Sequence, residues 1–238
     1  MSLYLKIQDK RKHFAVLIDP DDTTEEKLDD IIARAKASRV SFFFVGGSIL
    51  VKNSFESTIR YLKEKSDIPV IIFPGDTYQI SSHADAILFL SLISGRNADL
   101  LIGKHVLAAP ILKANKIEVL STGYMLIDSG KQTTASYMSH SIPIPHDKES
   151  IAIATAMAGE LLGMKLIYMD GGSGASNRIS LKMIGAVKKH ISIPLIIGGG
   201  INSAERAQEV IDAGADIIVV GTAIENDPSV IDEIGKIF

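Results

Sequence analysis

The chain has 238 residues, a formal net charge of −3 at pH 7 and no cysteine. This length suits one large core, and the mild acidity argues against a globally basic nucleic-acid binder. The lack of cysteine excludes disulfides and thiolate metal sites. No secretory signal is evident, and no apolar run approaches the ~20 residues that cross a bilayer. We therefore expect a cytoplasmic protein with one domain over residues 1–238.

Short runs of branched apolar residues recur along the chain, with helical patterns between most of them. Such runs are typical of parallel strands buried on both faces, and their alternation with helices predicts βαβ units. The predicted strands are residues 14–19, 41–46, 69–74, 86–91, 118–123, 166–170, 194–198 and 216–221. At this chain length, the pattern predicts an α/β protein with a (β/α)8 TIM barrel.

Helices are predicted where the intervening segments are most clearly amphipathic. Thr23 and Glu26 have the spacing of a capping box and are expected to begin a helix that ends near Ala37. Gly163 is a predicted helix stop, and Ser203 is a predicted helix cap. The other amphipathic segments are residues 53–65, 149–162 and 203–213.

Two intervals depart from the regular alternation. Between Pro74 and Ala86 the chain is too short for a comfortable crossover helix. We therefore predict that the third helix is reduced or missing, which leaves a lateral gap at that position. Residues 129–150 are extra chain rich in Ser, Thr, His and Pro, and they predict an ordered loop or lid over the C-terminal face.

Three glycine-bearing segments end the last three predicted strands. They are residues 168–174 (YMDGGSG), 198–200 (GGG) and 221–222 (GT). Glycine lets a backbone approach a ligand closely, and barrels of this class bind phosphate at the loops after strands seven and eight. Residues 222–225 could form a short helix whose N-terminus faces the anion. The glycines could instead serve only tight turns, but their presence in both loops favours a phosphate site.

Carboxylates follow two of the predicted strands. Asp19 ends strand one at the barrel mouth and is a candidate Mg²⁺ ligand, with Ser48 as a further oxygen donor. The run from Asp19 to Asp22 could equally be a turn that leads into a helix. Asp170 ends strand six, where it could orient or deprotonate a substrate hydroxyl, or cap the next helix. Tyr124, just after predicted strand five, could touch a ligand or simply pack.

The ordered set of motifs resembles the geranylgeranylglyceryl phosphate synthase family and its bacterial heptaprenylglyceryl phosphate relatives. The resemblance covers almost the whole chain. Its LISGRN and PIPHDK segments point to the subgroup found in some archaea and in Bacteroidetes-like bacteria. The motifs are LIDPD (17–21), FVGGS (44–48), FPG (73–75), FLSLISGRN (89–97), STGYMLID (121–128), YMSHSIPIPHDK (137–148), YMDGGSGA (168–175), IGGGI (197–201) and VVGTAI (219–224).

The resemblance implies a Mg²⁺-dependent prenyltransferase that joins sn-glycerol 1-phosphate to a polyprenyl diphosphate, with geranylgeranyl diphosphate as the expected donor. It implies Mg²⁺ at Asp19 and Ser48, and it makes Asp19 and Asp170 the expected catalytic residues. A homo-oligomer and transient membrane contact are further expectations. With Tyr124 included for its position, the expected substrate-binding residues are Tyr124, Tyr168, Met169, Asp170, Gly171, Gly172, Ser173, Gly174, Gly199, Gly200, Gly221 and Thr222.

Two positions depart from the family pattern. The family usually has glutamate where this chain has Asp170, and commonly lysine where it has Asp22. The shorter Asp170 changes the reach of the carboxylate. Loss of a cation at Asp22 weakens anion binding, unless Arg96 or Lys104 compensates. Two alternatives therefore stay open, namely a phosphate-binding barrel isomerase or lyase acting on a sugar phosphate, and a non-catalytic phosphate-ligand binder.

Overall fold

The fold is a closed barrel of parallel strands. The computed structural model describes residues 2–9, 11–175 and 177–238. The strands are paired in chain order, and β1 closes the barrel against β8. They are β1 (His13–Ile18), β2 (Phe42–Val45), β3 (Val70–Ile72), β4 (Ala86–Leu92), β5 (Glu118–Leu126), β6 (Leu166–Asp170), β7 (Leu195–Gly198) and β8 (Ile217–Val220). The predicted (β/α)8 barrel is confirmed, and each predicted strand overlaps an observed one.

Helices surround the barrel, and their ends follow local capping chemistry. Ser203 caps α8 by accepting a hydrogen bond from the Arg206 backbone N–H at 3.2 Å, as predicted. Gly163 ends α6 with φ +84°, also as predicted. The helices are α1 (Leu3–Ile7), α2 (Glu25–Ala37), α3 (Phe55–Lys65), α4 (Lys104–Asn115), α5 (Thr134–Ser139), α6 (Glu149–Leu161), α7 (Leu181–Lys188), α8 (Ala204–Asp212), α9 (Thr222–Asn226) and α10 (Val230–Gly235).

The predicted capping box at the start of α2 is wrong. Thr24, not Thr23, accepts the capping hydrogen bond, which comes from the Lys27 N–H at 3.3 Å. The Thr23 hydroxyl instead donates to the backbone carbonyl of Asp19 at 2.7 Å. Thr23 thus fixes the segment that follows β1 and does not cap the start of α2.

The helical shell has a gap beside β3 and β4, although the two strands are themselves paired. Residues 73–85 are all described and contain no helix, which confirms the predicted loss of the third helix. On the other side of β4, a π-helical turn at Asp99–Gly103 leads directly into α4. The gap is therefore bordered by a loop on one side and by this turn and α4 on the other.

Side-chain alternation divides the core into two layers. Phe44, Leu88 and Tyr168 belong to the inner layer on the barrel axis. Phe43 and Met169 belong to the outer layer between strands and helices. Each strand residue is therefore assigned either to the axis, where it can border the barrel mouth, or to the helical shell.

The bottom of the barrel is closed by the N-terminal helix. Ile7 of α1 is buried in the inner core layer, with Leu3 and Tyr4 packed against it. Glu118, the first residue of β5, accepts hydrogen bonds from the backbone N–H groups of Leu3 at 2.7 Å and Tyr4 at 2.9 Å. It also accepts one from the Ser2 hydroxyl at 2.6 Å. With this end sealed, the open end of the barrel is the carboxyl end of the strands.

Within the described parts of the chain, no helix is long and apolar enough to span a membrane.

We predict that Glu118→Ala lowers the free energy of unfolding by about 2 kcal/mol, because three donors at the start of α1 lose their acceptor. Burial opposes ionisation, but hydrogen bonds from Ser2, Tyr4 and Leu3 hold the pKa of Glu118 below its ordinary value. This stabilisation is present above the ordinary glutamate pKa of about 4.3 and is lost as pH falls through the lowered value. Urea unfolding at pH 7 and pH 3 measures both effects.

Glu64→Ala is the matched control, because Glu64 is an exposed glutamate on α3. A difference between wild type and Glu118→Ala that grows as pH falls would contradict the expected role of Glu118.

Candidate functional site

A cavity of about 500 Å³ occupies the carboxyl end of the barrel. It runs without interruption from the glycine loops after β6, β7 and β8, past the ends of β1 and β2, to the gap between β3 and β4. Its walls are polar at the glycine end and apolar near the gap. The cavity can therefore hold a ligand with one polar and one apolar part, or two ligands side by side.

Glycine residues form the polar end. Gly172, Gly199 and Gly200 line the cavity with positive φ angles of +82°, +85° and +73°. A side chain at Gly199 would lie 2.8 Å from the Gly172 nitrogen, so only glycine fits there. The hydroxyls of Ser173 and Thr222 join the loops after β6 and β8 at 2.8 Å. These loops form one rigid cup of backbone and hydroxyl groups, with Gly174 and Gly221 also in its lining.

Two predicted residues of the YMDGGSG segment do not line the cavity. The Met169 side chain is fully buried in the outer layer, so its assignment to the site is corrected. The Gly171 N–H donates a hydrogen bond to the Gly198 carbonyl at 3.0 Å, which extends the pairing of β6 with β7. The strand alternation explains both outcomes, because alternate residues face the helical shell. Tyr168 and Asp170 are on the cavity side.

Asp170 and Tyr124 form a buried acid–phenol pair. The Tyr124 hydroxyl donates to Asp170 Oδ2, and the Gly172 N–H donates to Asp170 Oδ1 at 2.7 Å. Tyr124 lies inside β5, which is longer than predicted, and not in the loop after it. Its ring meets that of Tyr168 edge to face at a centroid distance of 5.4 Å.

The electrostatics of this pair follow from its burial. Asp170 is only 8% exposed, and burial raises the pKa of its carboxyl, while the hydrogen bonds from Tyr124 and Gly172 lower it. Burial and the nearby Asp170 carboxylate keep the pKa of Tyr124 well above its ordinary value. The phenol therefore stays protonated and acts as a donor, and the carboxylate is a stronger base than an ordinary aspartate.

Asp19 lies at the opposite side of the cavity mouth. Its Oδ1 accepts a hydrogen bond from the Asp21 N–H at 2.9 Å. Its Oδ2 is 2.6 Å from the position that a Cβ atom at Gly47 would occupy, so the carboxylate fills the space that this glycine leaves. Ser48, the next residue, is exposed and lines the same cavity.

Negative charge accumulates around Asp19. Burial raises the pKa of Asp19, and the neighbouring carboxylates of Asp22 and Asp21 raise it further. Glu225 of α9 lines the cavity, and its pKa is raised by burial, then by Asp19 and Asp22. A bound cation would relieve this repulsion.

The residues at this side suit a cation that is shared with a substrate. Among the residues that the structure describes, no group of three or more histidine or carboxylate side chains is arranged to hold a metal by itself. Mg²⁺ commonly takes one or two carboxylates and completes its shell with water and phosphate oxygens. Asp19, with the Ser48 hydroxyl beside the same cavity, fits that requirement.

Apolar side chains line the end of the cavity at the gap. His105 of α4 is buried there, with its ring edge to face against Phe89 and its Nε2 3.1 Å from the Ser91 hydroxyl. Lys104 pairs with Asp76 across the gap at 2.8 Å. This apolar groove is lined by Phe73, Ile80, Ile87, Leu88, Phe89, Leu90, Leu92, Leu100 and Ala108.

The predicted lid is an ordered segment against the glycine cup. Thr134 and Met138 of α5 line the cavity. A Cβ atom at Gly172 would lie 2.5 Å from Thr133 Cγ2, so the segment packs directly on the cup. Lys131 Nζ is 3.3 Å from the Cβ position at Gly174. Sequence reasoning missed this cation, because no periodicity or fixed spacing ties residues of a long loop to a strand end.

The cations proposed to offset Asp22 differ in position. Arg96 donates to the Gly95 carbonyl at 2.7 Å and does not line the cavity. Lys104 lines the cavity but is paired with Asp76. Lys131, which neighbours Gly174, lies nearer the cup than either of them. Glu225 was also not predicted as a site residue from the sequence. Its position four residues after Gly221, the glycine that follows β8, was a usable signal.

Together, these features define a (β/α)8 barrel protein in which a continuous cavity joins a glycine-rich polar cup to an apolar groove. The chain belongs to the PcrB family, whose sequence pattern matches residues 6–237. It is 52% identical to a geranylgeranylglyceryl phosphate synthase of Chitinophaga pinensis over 222 residues, which cover 93% of this chain and 88% of the relative. It is 50% identical to that of Spirosoma linguale, with coverage of 95% and 91%.

A solved structure shares the fold throughout. The crystal structure of (S)-3-O-geranylgeranylglyceryl phosphate synthase from Thermoplasma acidophilum, in complex with its substrate sn-glycerol 1-phosphate, superposes with a TM-score of 0.91. Its sequence identity is 34%, and the match covers 98% of this chain and 95% of that one. The barrel and its connections are therefore conserved between the two proteins along nearly their whole lengths.

We predict that Tyr124→Phe raises the pKa of Asp170, because the lost hydrogen bond is one that stabilises the carboxylate. The carboxyl stretch in difference infrared spectra, assigned with Asp170→Asn, measures the titration midpoint. The midpoint should move to higher pH in the variant. Tyr61→Phe is the control, since Tyr61 donates to the exposed Asp29 at 2.9 Å. An unchanged or lower midpoint would show that Tyr124 does not set the basicity of Asp170.

Proposed function

We propose that the protein is a Mg²⁺-dependent prenyltransferase. It joins sn-glycerol 1-phosphate to a polyprenyl diphosphate, with geranylgeranyl diphosphate as the expected donor. The reaction forms a C–O ether bond, breaks the C–O bond to diphosphate and releases a proton. The observation that carries the proposal is the single cavity that joins the glycine cup to the apolar groove. The names of the relatives and the glycerol phosphate complex of the Thermoplasma acidophilum enzyme support it.

The glycine cup is proposed to hold the phosphate of the nucleophile. Backbone N–H groups and the hydroxyls of Ser173 and Thr222 are neutral donors that suit a phosphate dianion. Lys131 adds a positive charge at the rim of the cup, beside Gly174. With the phosphate held there, the glycerol hydroxyls would lie near Asp170, which lines the cavity at the end of β6 and directly precedes the first glycine segment of the cup.

Asp170 is proposed to orient the reacting hydroxyl and to take its proton. Its pKa is raised by burial, which makes it a better base, and its two hydrogen bonds fix the carboxylate in one orientation. Tyr124 keeps its own proton, so it does not compete for the one that the substrate releases. Fixing the hydroxyl next to the allylic carbon contributes much of the rate through proximity.

The leaving group is proposed to lie at Asp19 and Ser48. Mg²⁺ held there would neutralise the diphosphate as negative charge develops on it. Asp19 and Glu225 surround this side with negative charge, so a free diphosphate is repelled and a metal-bound one is accepted. This requirement for the cation distinguishes the Asp19 side from the glycine cup.

The apolar groove is proposed to take the prenyl chain. The loss of the third helix leaves a gap in the helical shell, so an extended hydrocarbon can leave the barrel mouth sideways, beyond the paired residues of β3 and β4. Burying such a chain is favourable by about 0.8 kcal/mol for each CH₂ group. The groove therefore supplies much of the binding free energy of the donor.

A diphosphate-release assay with sn-glycerol 1-phosphate and prenyl diphosphates of several chain lengths tests the proposal. Release that requires both substrates and Mg²⁺, with an ether-linked product by mass spectrometry, is the expected result. No release at any chain length, with intact glycerol phosphate binding, would favour the non-catalytic binder. Turnover of a sugar phosphate without any prenyl donor would favour the isomerase or lyase.

We predict that Asp19→Asn lowers Mg²⁺-dependent turnover at least a hundredfold while the Kd for glycerol 1-phosphate changes less than threefold. The reason is that Asp19 lies on the proposed metal side and belongs to none of the three loops that form the glycine cup. Initial rates and calorimetric titration measure the two effects. Asp67→Asn is the control, because Asp67 is an exposed residue between α3 and β3. Equal loss of turnover and of glycerol phosphate binding would show that Asp19 is not primarily a metal ligand.

Three further expectations stay predictions. A homo-oligomeric assembly and transient contact with a membrane to collect the prenyl donor rest on the family resemblance, and a cytoplasmic location rests on the composition. The exposed apolar side chains Val106 and Leu107 on α4 and Leu161 on α6 are compatible with such contacts.

A further inference from the structure

Gln79 is a fully buried polar residue in the loop that replaces the third helix. Its Oε1 accepts a hydrogen bond from the Gly75 N–H at 3.1 Å, and its Nε2 donates to the Gly47 carbonyl at 3.0 Å. One amide therefore joins the loop after β3 to the loop after β2. The amide supplies one planar donor and one planar acceptor, so it can satisfy both backbone groups at once.

The backbone that Gln79 holds lies directly beneath the Asp19 carboxylate. A Cβ atom at Gly75 would lie 2.2 Å from the Gly47 carbonyl oxygen and 3.0 Å from the Ser48 backbone. Asp19 Oδ2 in turn lies 2.6 Å from the Cβ position at Gly47. The contacts therefore run in sequence from Gly75 to the Gly47–Ser48 backbone and from there to Asp19. A shift of the Gly75 loop would move the Gly47–Ser48 backbone and, through it, the Asp19 carboxylate.

The turn that carries Gln79 is anchored. The Gln79 N–H donates to the Asp76 carbonyl at 3.2 Å, which closes a turn over residues 76–79. Asp76 is held in turn by Lys104 at 2.8 Å, across the gap in the helical shell. The amide of Gln79 is therefore presented from a fixed turn, as a positioning group requires.

We propose that Gln79 is a positioning residue, which fixes the Gly47–Ser48 backbone against Asp19 and so holds the oxygen ligands of the metal–diphosphate side in register. The inference rests on the proposed function, because that function assigns the metal and the diphosphate to Asp19 and Ser48. Gln79 is fully buried and does not line the cavity. Its effect is confined to one half of the cavity, since the glycine cup is built from the loops after β6, β7 and β8.

Calorimetric titration without turnover tests this role. Wild type, Gln79→Met and Gln79→Asn are each titrated with Mn²⁺ plus inorganic diphosphate, and separately with sn-glycerol 1-phosphate. Methionine keeps the volume without the amide, and asparagine keeps the amide but is too short to reach both loops. Both variants should bind Mn²⁺–diphosphate about tenfold more weakly, with glycerol phosphate binding within twofold of wild type.

Ser66→Ala is the matched control. Ser66 is buried in the connection that leads into the opposite end of β3, and it accepts a hydrogen bond from the Ile68 N–H at 3.0 Å, so its replacement removes a buried hydrogen bond away from the cavity. It should leave both affinities unchanged. Gln79→Asn keeps the test valid if Gln79→Met fails to fold.

The outcomes separate this inference from the proposed function. Variants that bind Mn²⁺–diphosphate as tightly as wild type, or that lose both ligands equally, would overturn the role of Gln79 alone. Wild-type protein that binds glycerol phosphate but no Mn²⁺–diphosphate would overturn the metal side of the proposed function, and this inference with it.

Discussion

The close approach of backbones at the strand ends determines the shape of the cavity. A Cβ atom at Gly46 would lie 2.0 Å from the Phe73 carbonyl oxygen, and one at Gly199 would lie 2.9 Å from the Gly171 nitrogen. Neither position accepts a side chain without a shift of the loop that it contacts. The loops after β2 and β3 are therefore locked together on one side of the mouth, and those after β6 and β7 on the other. The two halves of the cavity are built independently on the same barrel.

This rigid frame holds acidic groups in unfavourable surroundings. Asp19, Asp170 and Glu225 all have a raised pKa, mainly because burial disfavours their charged forms. A protein selected only for stability would avoid such placements. Their concentration at one cavity is typical of a functional site, where ligands and cations complete the electrostatics. The same acids therefore mark where the proposed substrates would lie.

Much of the fold could be predicted from sequence, because buried parallel strands leave runs of branched residues and helix ends follow local chemistry. The glycine segments were predictable as a cup, since loops after successive strands meet at one edge. Thr23, Tyr124 and Met169 were misplaced, because hydrogen-bond competition, strand length and side-chain alternation depend on the folded context. Gln79 and Lys131 left no sequence signal, since they reach the site only through loops that fold back on the barrel.

The gap between β3 and β4 also bears on how a finished molecule leaves. The proposed product has a phosphate at one end and a long hydrocarbon at the other, and both ends lie at the mouth of a closed barrel. Because the helical shell has a gap beside β3 and β4, the chain can slide out laterally while the phosphate leaves through the mouth. The Asp76–Lys104 pair crosses that route. Release would then depend on the ionic strength of the medium, because salt weakens a partly exposed ion pair.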